Sequence, residues 1–218
     1  GDLMAPLLEI KGLKTHFATD DGMVQAVDGV DLTLNKGETM CVVGESGCGK
    51  STLGRVIAGI HEASSGTMHF NGVDVREMDD AAFKAQNLAI QMIFQDPMSS
   101  LNPRMRVIEI VGEAPVVHGM IASAQMEDYV AQMFRKVGLD PSTMRRFPHQ
   151  FSGGQRARIG IARALAVNPT MLVCDEATAA LDVSIQAQVI NLFSQLRHDL
   201  GLTYLFVSHD LGVVSHIA

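Results

Sequence analysis

No apolar run in this sequence approaches the roughly 20 residues that a helix needs to cross a bilayer. Positive charge is not in excess either: 17 Lys and Arg stand against 24 Asp and Glu, a net charge of −7. Duplex binding requires a concentrated basic footprint, so nucleic acid is not expected as a partner. The N-terminal stretch carries Asp2 and Glu9 and lacks the basic-then-apolar pattern of a secretory leader, which points to the cytosol. Cysteine is scarce. Cys41, Cys48 and Cys174 are spaced neither as a metal knuckle nor as a disulfide framework, and Cys41 and Cys174, in apolar strand-like runs, read as small core residues. There is no internal repeat and no low-complexity segment. An apolar fraction of 47% and a charged fraction of 19% over 218 residues suit a globular protein with one substantial core.

What is there is an alternation of strand and helix signals. Leu7 to Phe17 and Val24 to Leu34 read as strands around the turn-like Thr19-Asp20-Asp21-Gly22. Glu38 to Val43 is a short apolar run of the buried-strand kind, feeding a Gly-rich loop and a helix to about Ala58 that Gly59 is placed to end. Asn71-Gly72 between two strand-like runs predicts a hairpin. Leu88 to Gln95 reads as a further strand. From Asp96 to about Arg146 the chain reads as mainly helical, with breaks at Pro97, Pro103, Pro115 and Pro141. Strand signals return at Thr170 to Glu176 and Thr203 to His209, on either side of an amphipathic helix, Val183 to Leu200. The pattern predicts an α/β fold: a mostly parallel sheet covered by helices, an antiparallel part near the N-terminus and an inserted helical segment.

The chemistry lies where the strands end. Gly44-Glu45-Ser46-Gly47-Cys48-Gly49-Lys50-Ser51 matches the phosphate loop G-x-x-x-x-G-K-[ST] in full, after a strand and before a helix. Its glycines let backbone N–H groups wrap phosphates, and the helix N-terminus adds partial positive charge. Lys50 is placed to reach the β- and γ-phosphates and Ser51 to ligate Mg²⁺. Asp175 ends an apolar strand and can hold the metal through water, with Glu176 beside it to orient or deprotonate an attacking water. His209 and Gln95 end two more apolar strands and would reach the same sheet edge, His209 near the γ-phosphate and Gln95 at the metal or the water. A second Gly-rich helix start, Ser152-Gly153-Gly154, is also built like an anion site. The basic cluster Arg145, Arg146, Arg156, Arg158 and Arg163 reads as a solvated face with local ion pairs, and Asp74 to Asp80 as a solvated loop and helix start.

Together these residues resemble the nucleotide-binding domain of an ABC transporter. In that resemblance Phe17 is the adenine-stacking aromatic, Gly44 to Thr52 the Walker A loop and Gln95 the Q-loop. Ser152-Gly153-Gly154-Gln155 is the signature, Asp175-Glu176 the Walker B pair, Ala180-Leu181-Asp182 the D-loop and His209 the switch. The resemblance implies ATP and Mg²⁺ as cofactors and a single domain with a RecA-like P-loop NTPase core, residues 1–95 and 165–218, around a helical subdomain at about 96–164. It also implies a head-to-tail pair, with a second copy or a sister subunit, in which each signature closes over ATP held by the other domain. Phe94 to Met105, Phe147 to Ile159 and Ala180 to Leu192 are similar to ATPase subunits of bacterial peptide, dipeptide and nickel importers. Transmembrane permease subunits, and indirectly an extracytoplasmic solute-binding protein, are then the implied partners, and the cytoplasmic face of the cell membrane the implied place. A soluble ABC ATPase acting on ribosomes or DNA is the alternative; it usually has tandem domains or a much longer insertion. Phe17 stands where Tyr is usual, Ala179 where Ser or Thr is common and Ala157 where Gln is common. The chain stops nine residues after His209, where the family continues, so a shortened chain or one piece of a longer one is expected. Cys48 reads as a small residue tolerated in the loop; the alternative is a thiol of lowered pKa, because it lies near a helix N-terminus and Lys50. On that alternative a thiol-alkylating reagent inactivates the protein with ATP protecting, and modification of Cys48 that ignores ATP would count against it.

Overall fold

A strand buried on both faces sends alternate side chains into two different cores, and four short strands here do so. The computed structural model describes residues 6–19, 22–43, 50–59, 63–94, 101–175 and 181–208, with the side chains of all except 15–19, 22–30, 43, 50–52 and 208. Strands β3 (Thr39–Val43), β6 (Ile90–Ile93), β7 (Met171–Asp175) and β8 (Thr203–Ser208) form a parallel sheet in the order β3-β8-β7-β6. From its one face Ile90, Met171, Val173 and Leu205 enter a core shared with Leu8, Ile10, Leu34, Leu53 and Ile57. From the other, Ile93, Leu172, Cys174, Tyr204 and Phe206 enter a core shared with the helical segment.

The first core is closed by the antiparallel sheet. β1 (Leu8–Thr19), β2 (Gly22–Leu34), β4 (Ser65–Phe70) and β5 (Val73–Asp74) run in the order β2-β1-β4-β5. Asn71 and Gly72, both at positive φ (52° and 81°), make the expected tight turn between β4 and β5. Helix α1 (Lys50–Ile57) lies between the two sheets, with Leu53, Val56 and Ile57 buried. Gly59 follows it at φ +81°, as a helix-ending glycine should.

The second core is helical. α3 (Val107–Val117), α4 (Met126–Lys136), α5 (Gly153–Leu165) and α6 (Val183–Leu200) contribute to it. α6 docks on the sheet through Phe193, whose ring meets Tyr204 and Phe206 edge-on at 5.6 and 5.4 Å between centroids. The Tyr204 hydroxyl, buried, donates to the Phe193 carbonyl at 2.9 Å. Asp182 caps the N-terminus of α6 by accepting from Ile185 N at 3.0 Å, and Gly201 ends the helix in the left-handed region. Among the described residues no helix is long and apolar enough to cross a membrane.

Three expectations are corrected. The run from Leu88 is not strand throughout: α2 (Asp80–Ala89), started by the Asp79 cap, carries through Leu88 and Ala89, and β6 begins at Ile90. Helix and buried strand share such short apolar runs, and the capped helix sets the frame first. Pro115 does not break its helix but sits in the last turn of α3, where the chain closes with Met120 N donating to the Pro115 carbonyl at 2.8 Å. In the basic cluster, Arg145 does pair with Glu127 at 3.0 Å, both exposed, but Arg156 and Arg158 are half-buried and donate to main-chain carbonyls. Pro97 lies outside the described residues.

β1 is irregular where its pairing slips between Lys11 and Lys14, and Gly66 on β4 lies over that slip. Gly66 has φ +90°, and a Cβ there would stand 2.4 Å from the Gly12 carbonyl oxygen, a backbone atom that cannot swing away. Gly66→Ala is therefore expected to lower unfolding free energy by about 2 kcal/mol or more, measured by urea denaturation.

Candidate functional site

Parallel pairing brings the C-terminal ends of the four core strands to one edge. Val43 pairs with Ser208 across β3 and β8, Asp175 with Val207 across β7 and β8, and Ile93 with Cys174 across β6 and β7. In the sequence the residues that come next are Gly44, His209, Glu176 and, after Phe94, Gln95. Gly44 to Gly49, Gln95, Glu176 and His209 lie outside the described residues.

α1 returns over this edge. A Cβ on Gly54 would sit 3.1 Å from Val173 Cγ1, so the helix presses on β7 there. Asp175 is 5% exposed, a carboxylate in a place where a charge requires partners. Behind it, burial and the neighbouring Asp175 and Cys41 push the Cys174 thiol well above its usual range, so it stays a protonated core group, as expected. Cys41 is half-buried and its thiol is pushed up by burial. Lys50, Ser51 and Thr52 are described as the first turn of α1, and Phe17 lies in β1 opposite Val24; their side chains are outside the description.

The second Gly-rich helix start is α5. Ser152 caps it, Oγ accepting from Gln155 N at 3.2 Å while Gln155 Oε1 accepts from Ser152 N at 2.9 Å. This is a capping box, so the bland role of the serine is present. It does not exhaust the turn: the Ser152 hydroxyl hydrogen and the N–H groups of Gly153 and Gly154 have no acceptor within the helix. Ser152, Gly153 and Gln155 are exposed and Gly154 is buried. Beneath, a Cβ on Gly154 would meet Ile185 Cγ2 of α6 at 2.8 Å, and one on Gly153 would meet Leu181 Cδ2 at 3.8 Å. The glycine-rich turn is thus seated on Leu181 and Ile185, which follow β7 in the same chain.

The described elements around the candidate site are thus α1, the buried acidic end of β7 and the exposed, capped start of α5. A family model described as "ABC transporter" matches residues 27–179. The chain belongs to the ABC transporter family. Its α/β P-loop fold is the one expected from its sequence. It is 49% identical over 222 residues to the oligopeptide transport ATP-binding protein OppF of Escherichia coli (strain K12), covering 97% of this chain and 66% of that protein. It is 50% identical over 214 residues to OppF of Bacillus subtilis (strain 168), covering 97% of this chain and 70% of that one. The chain thus spans about two thirds of the length of these relatives. Among solved structures, the ATP-binding cassette MJ0796 in a dimeric post-hydrolysis state bound to ADP and Pi superposes with a TM-score of 0.84 at 26% identity, covering 96% of this chain and 90% of that one.

Sequence reasoning did not find Ile185 or the role of Arg158, because nothing local in a sequence marks a contact between distant elements, nor that of Arg156, whose return to the Phe151 carbonyl five residues back has no sequence signal. The closeness of Gly154 to Ile185 has a direct consequence. Gly154→Ala is expected to cost about 1–3 kcal/mol by overpacking, and markedly less in an Ile185→Ala background, as read from a double-mutant cycle of urea unfolding.

Proposed function

We propose that this chain is the ATP-hydrolysing motor domain of an importer for peptides or a related small solute, working as a head-to-tail pair with two composite ATP sites. The observation that carries the reading is the shared strand edge: Val43, Ile93, Asp175 and Ser208 end four parallel, neighbouring strands on one side of the sheet. The high identity to oligopeptide transport ATP-binding proteins supports the solute class.

In this reading Gly44, Glu45, Ser46, Gly47, Cys48 and Gly49 cradle the phosphates by their amides, Lys50 binds the β- and γ-phosphates, Thr52 supports the loop and Phe17 stacks on adenine. Hydroxyl, amide and carboxylate oxygens of Ser51, Gln95 and Asp175 form the hard donor set that Mg²⁺ prefers. When bound, that ion neutralises charge on the β- and γ-phosphates. Glu176 accepts the proton of the attacking water, and His209 holds the γ-phosphate. Ser152, Gly153, Gly154 and Gln155 bind the γ-phosphate of ATP held by the opposite domain, so the pair is stable only while that phosphate is present. Loss of the γ-phosphate then releases the pair and moves the attached permease. We assign residues 1–95 and 165–218 to the core, about 96–164 to a helical subdomain, and a permease contact to the groove between them. A cleft of about 220 Å³ lined by Ala58, Gln91, Phe94, Gly160 and Arg163 opens in that groove. The chain would then work on the cytoplasmic face of the membrane, held there by the permease.

The test is solution mass and turnover of Glu176→Gln. Turnover should fall at least about 100-fold, in line with loss of a general base, while ATP still binds. Mass should double with Mg-ATP, and a further Ser152→Ala change should reverse the doubling. A monomer under all conditions, both alone and with its sister subunit, would reject the composite site.

A further inference from the structure

The signature helix α5 is tied down by one of its own arginines. Arg158 Nη1 donates to the carbonyl of Val137 at 2.6 Å. Val137 is the C-cap of α4, so this oxygen belongs to the acceptors that every helix leaves unpaired at its C-terminus. A guanidinium there meets both a free acceptor and the negative end of the helix dipole. Space for it exists because the next residue is Gly138: a Cβ at that position would stand 2.8 Å from Arg158 Nη1, and its φ of +75° already favours glycine. Arg156 turns back along the same helix and donates to the carbonyl of Phe151, the residue before Ser152, at 3.0 Å. The two cations thus brace the signature turn from its entry and from the neighbouring helix.

We infer that Arg158 is a positioning residue for ATP-driven pairing: by tying α5 to the end of α4, it fixes the direction in which Ser152, Gly153 and Gly154 present their donors. Arg158 lies six residues beyond Ser152, ~9 Å along the helix, so a small tilt at the tie swings the first turn. The inference rests on the composite-site reading for its consequence, but the tie itself can be tested without it.

The first experiment is amide hydrogen exchange on the full single chain. In Arg158→Met, exchange at Gln155 to Ala157 should accelerate about tenfold, the low end for losing a hydrogen bond to a charged group. Exchange at Leu172 to Cys174 in β7 should stay unchanged. Arg158→Lys, which retains a cationic donor, should restore part of the protection. Unchanged exchange at Gln155 to Ala157, or equal acceleration in β7, would overturn the inference. The second experiment adds Arg158→Met to Glu176→Gln. ATP affinity of the single domain should stay within about twofold, since the phosphate loop lies elsewhere, while the ATP concentration needed for pairing should rise about tenfold. Pairing at unchanged ATP, or a parallel loss of ATP binding, contradicts the positioning role. If Glu176→Gln does not pair even with Arg158 intact, the composite-site reading fails, and the exchange result alone decides the tie.

Discussion

A parallel strand buried on both faces must satisfy two cores at once, and in this protein that double demand sets everything else. Val173 and Cys174 are neighbours in the chain, yet Val173 packs under α1 and Cys174 packs toward α6. A register slip of one residue on β7 would exchange the two sets and move Asp175 away from the strand-end edge. The same packing that excludes water from the sheet therefore fixes the level at which each strand stops. The level at which β7 stops is thus set by side chains several residues back, which serve only to pack.

The elements most legible in the sequence were those with strong local signals. Asn71-Gly72 demands positive φ at both positions and can be little other than a hairpin turn; the phosphate loop demands a strand before it and a helix after it. The buried strands around Asp175 and Ser208 were legible because continuous apolar runs bounded by polar ends suit a sheet covered on both faces. Boundaries were less legible. Leu88 and Ala89 suit either state, and the Asp79 cap at the far end of the helix decides for α2. Pro115 misled because proline is costly inside a helix but tolerable where the last turn has little left to bond.

The sequence offers the candidate site as a list of residues, but not as a set of contacts. Composition suggested that the arginines beyond Gln155 make a solvated face, because long charged side chains usually do. The fold uses Arg156 and Arg158 otherwise, since two segment ends, Phe151 and Val137, leave carbonyls within their reach. Ala157 has a comparable explanation. It is 4% exposed, inside the core between the helices, so a small side chain at this position lets α5 lie close to its neighbours. Such facts belong to the tertiary structure, and no spacing in one sequence encodes them.

The capping box at Ser152 bears on how a half-site can wait for its ligand. A helix N-terminus presenting unpaired donors to water is easily frayed, and an anion arriving there would have to order the turn as well as bind it. Here the reciprocal bonds between Ser152 and Gln155 hold the turn in advance, Ile185 supports Gly154 from below, and the side-chain cap uses Ser152 only as an acceptor. The N–H groups of the first turn that the cap does not use are thereby held in a fixed frame. Preorganised donors of this kind favour an anion by more than flexible ones of the same chemistry, because their ordering cost has already been met in folding. A glycine at position 154 is then needed twice over: its missing side chain lets α6 support the turn, and its N–H belongs to the first turn of the helix that would meet the phosphate.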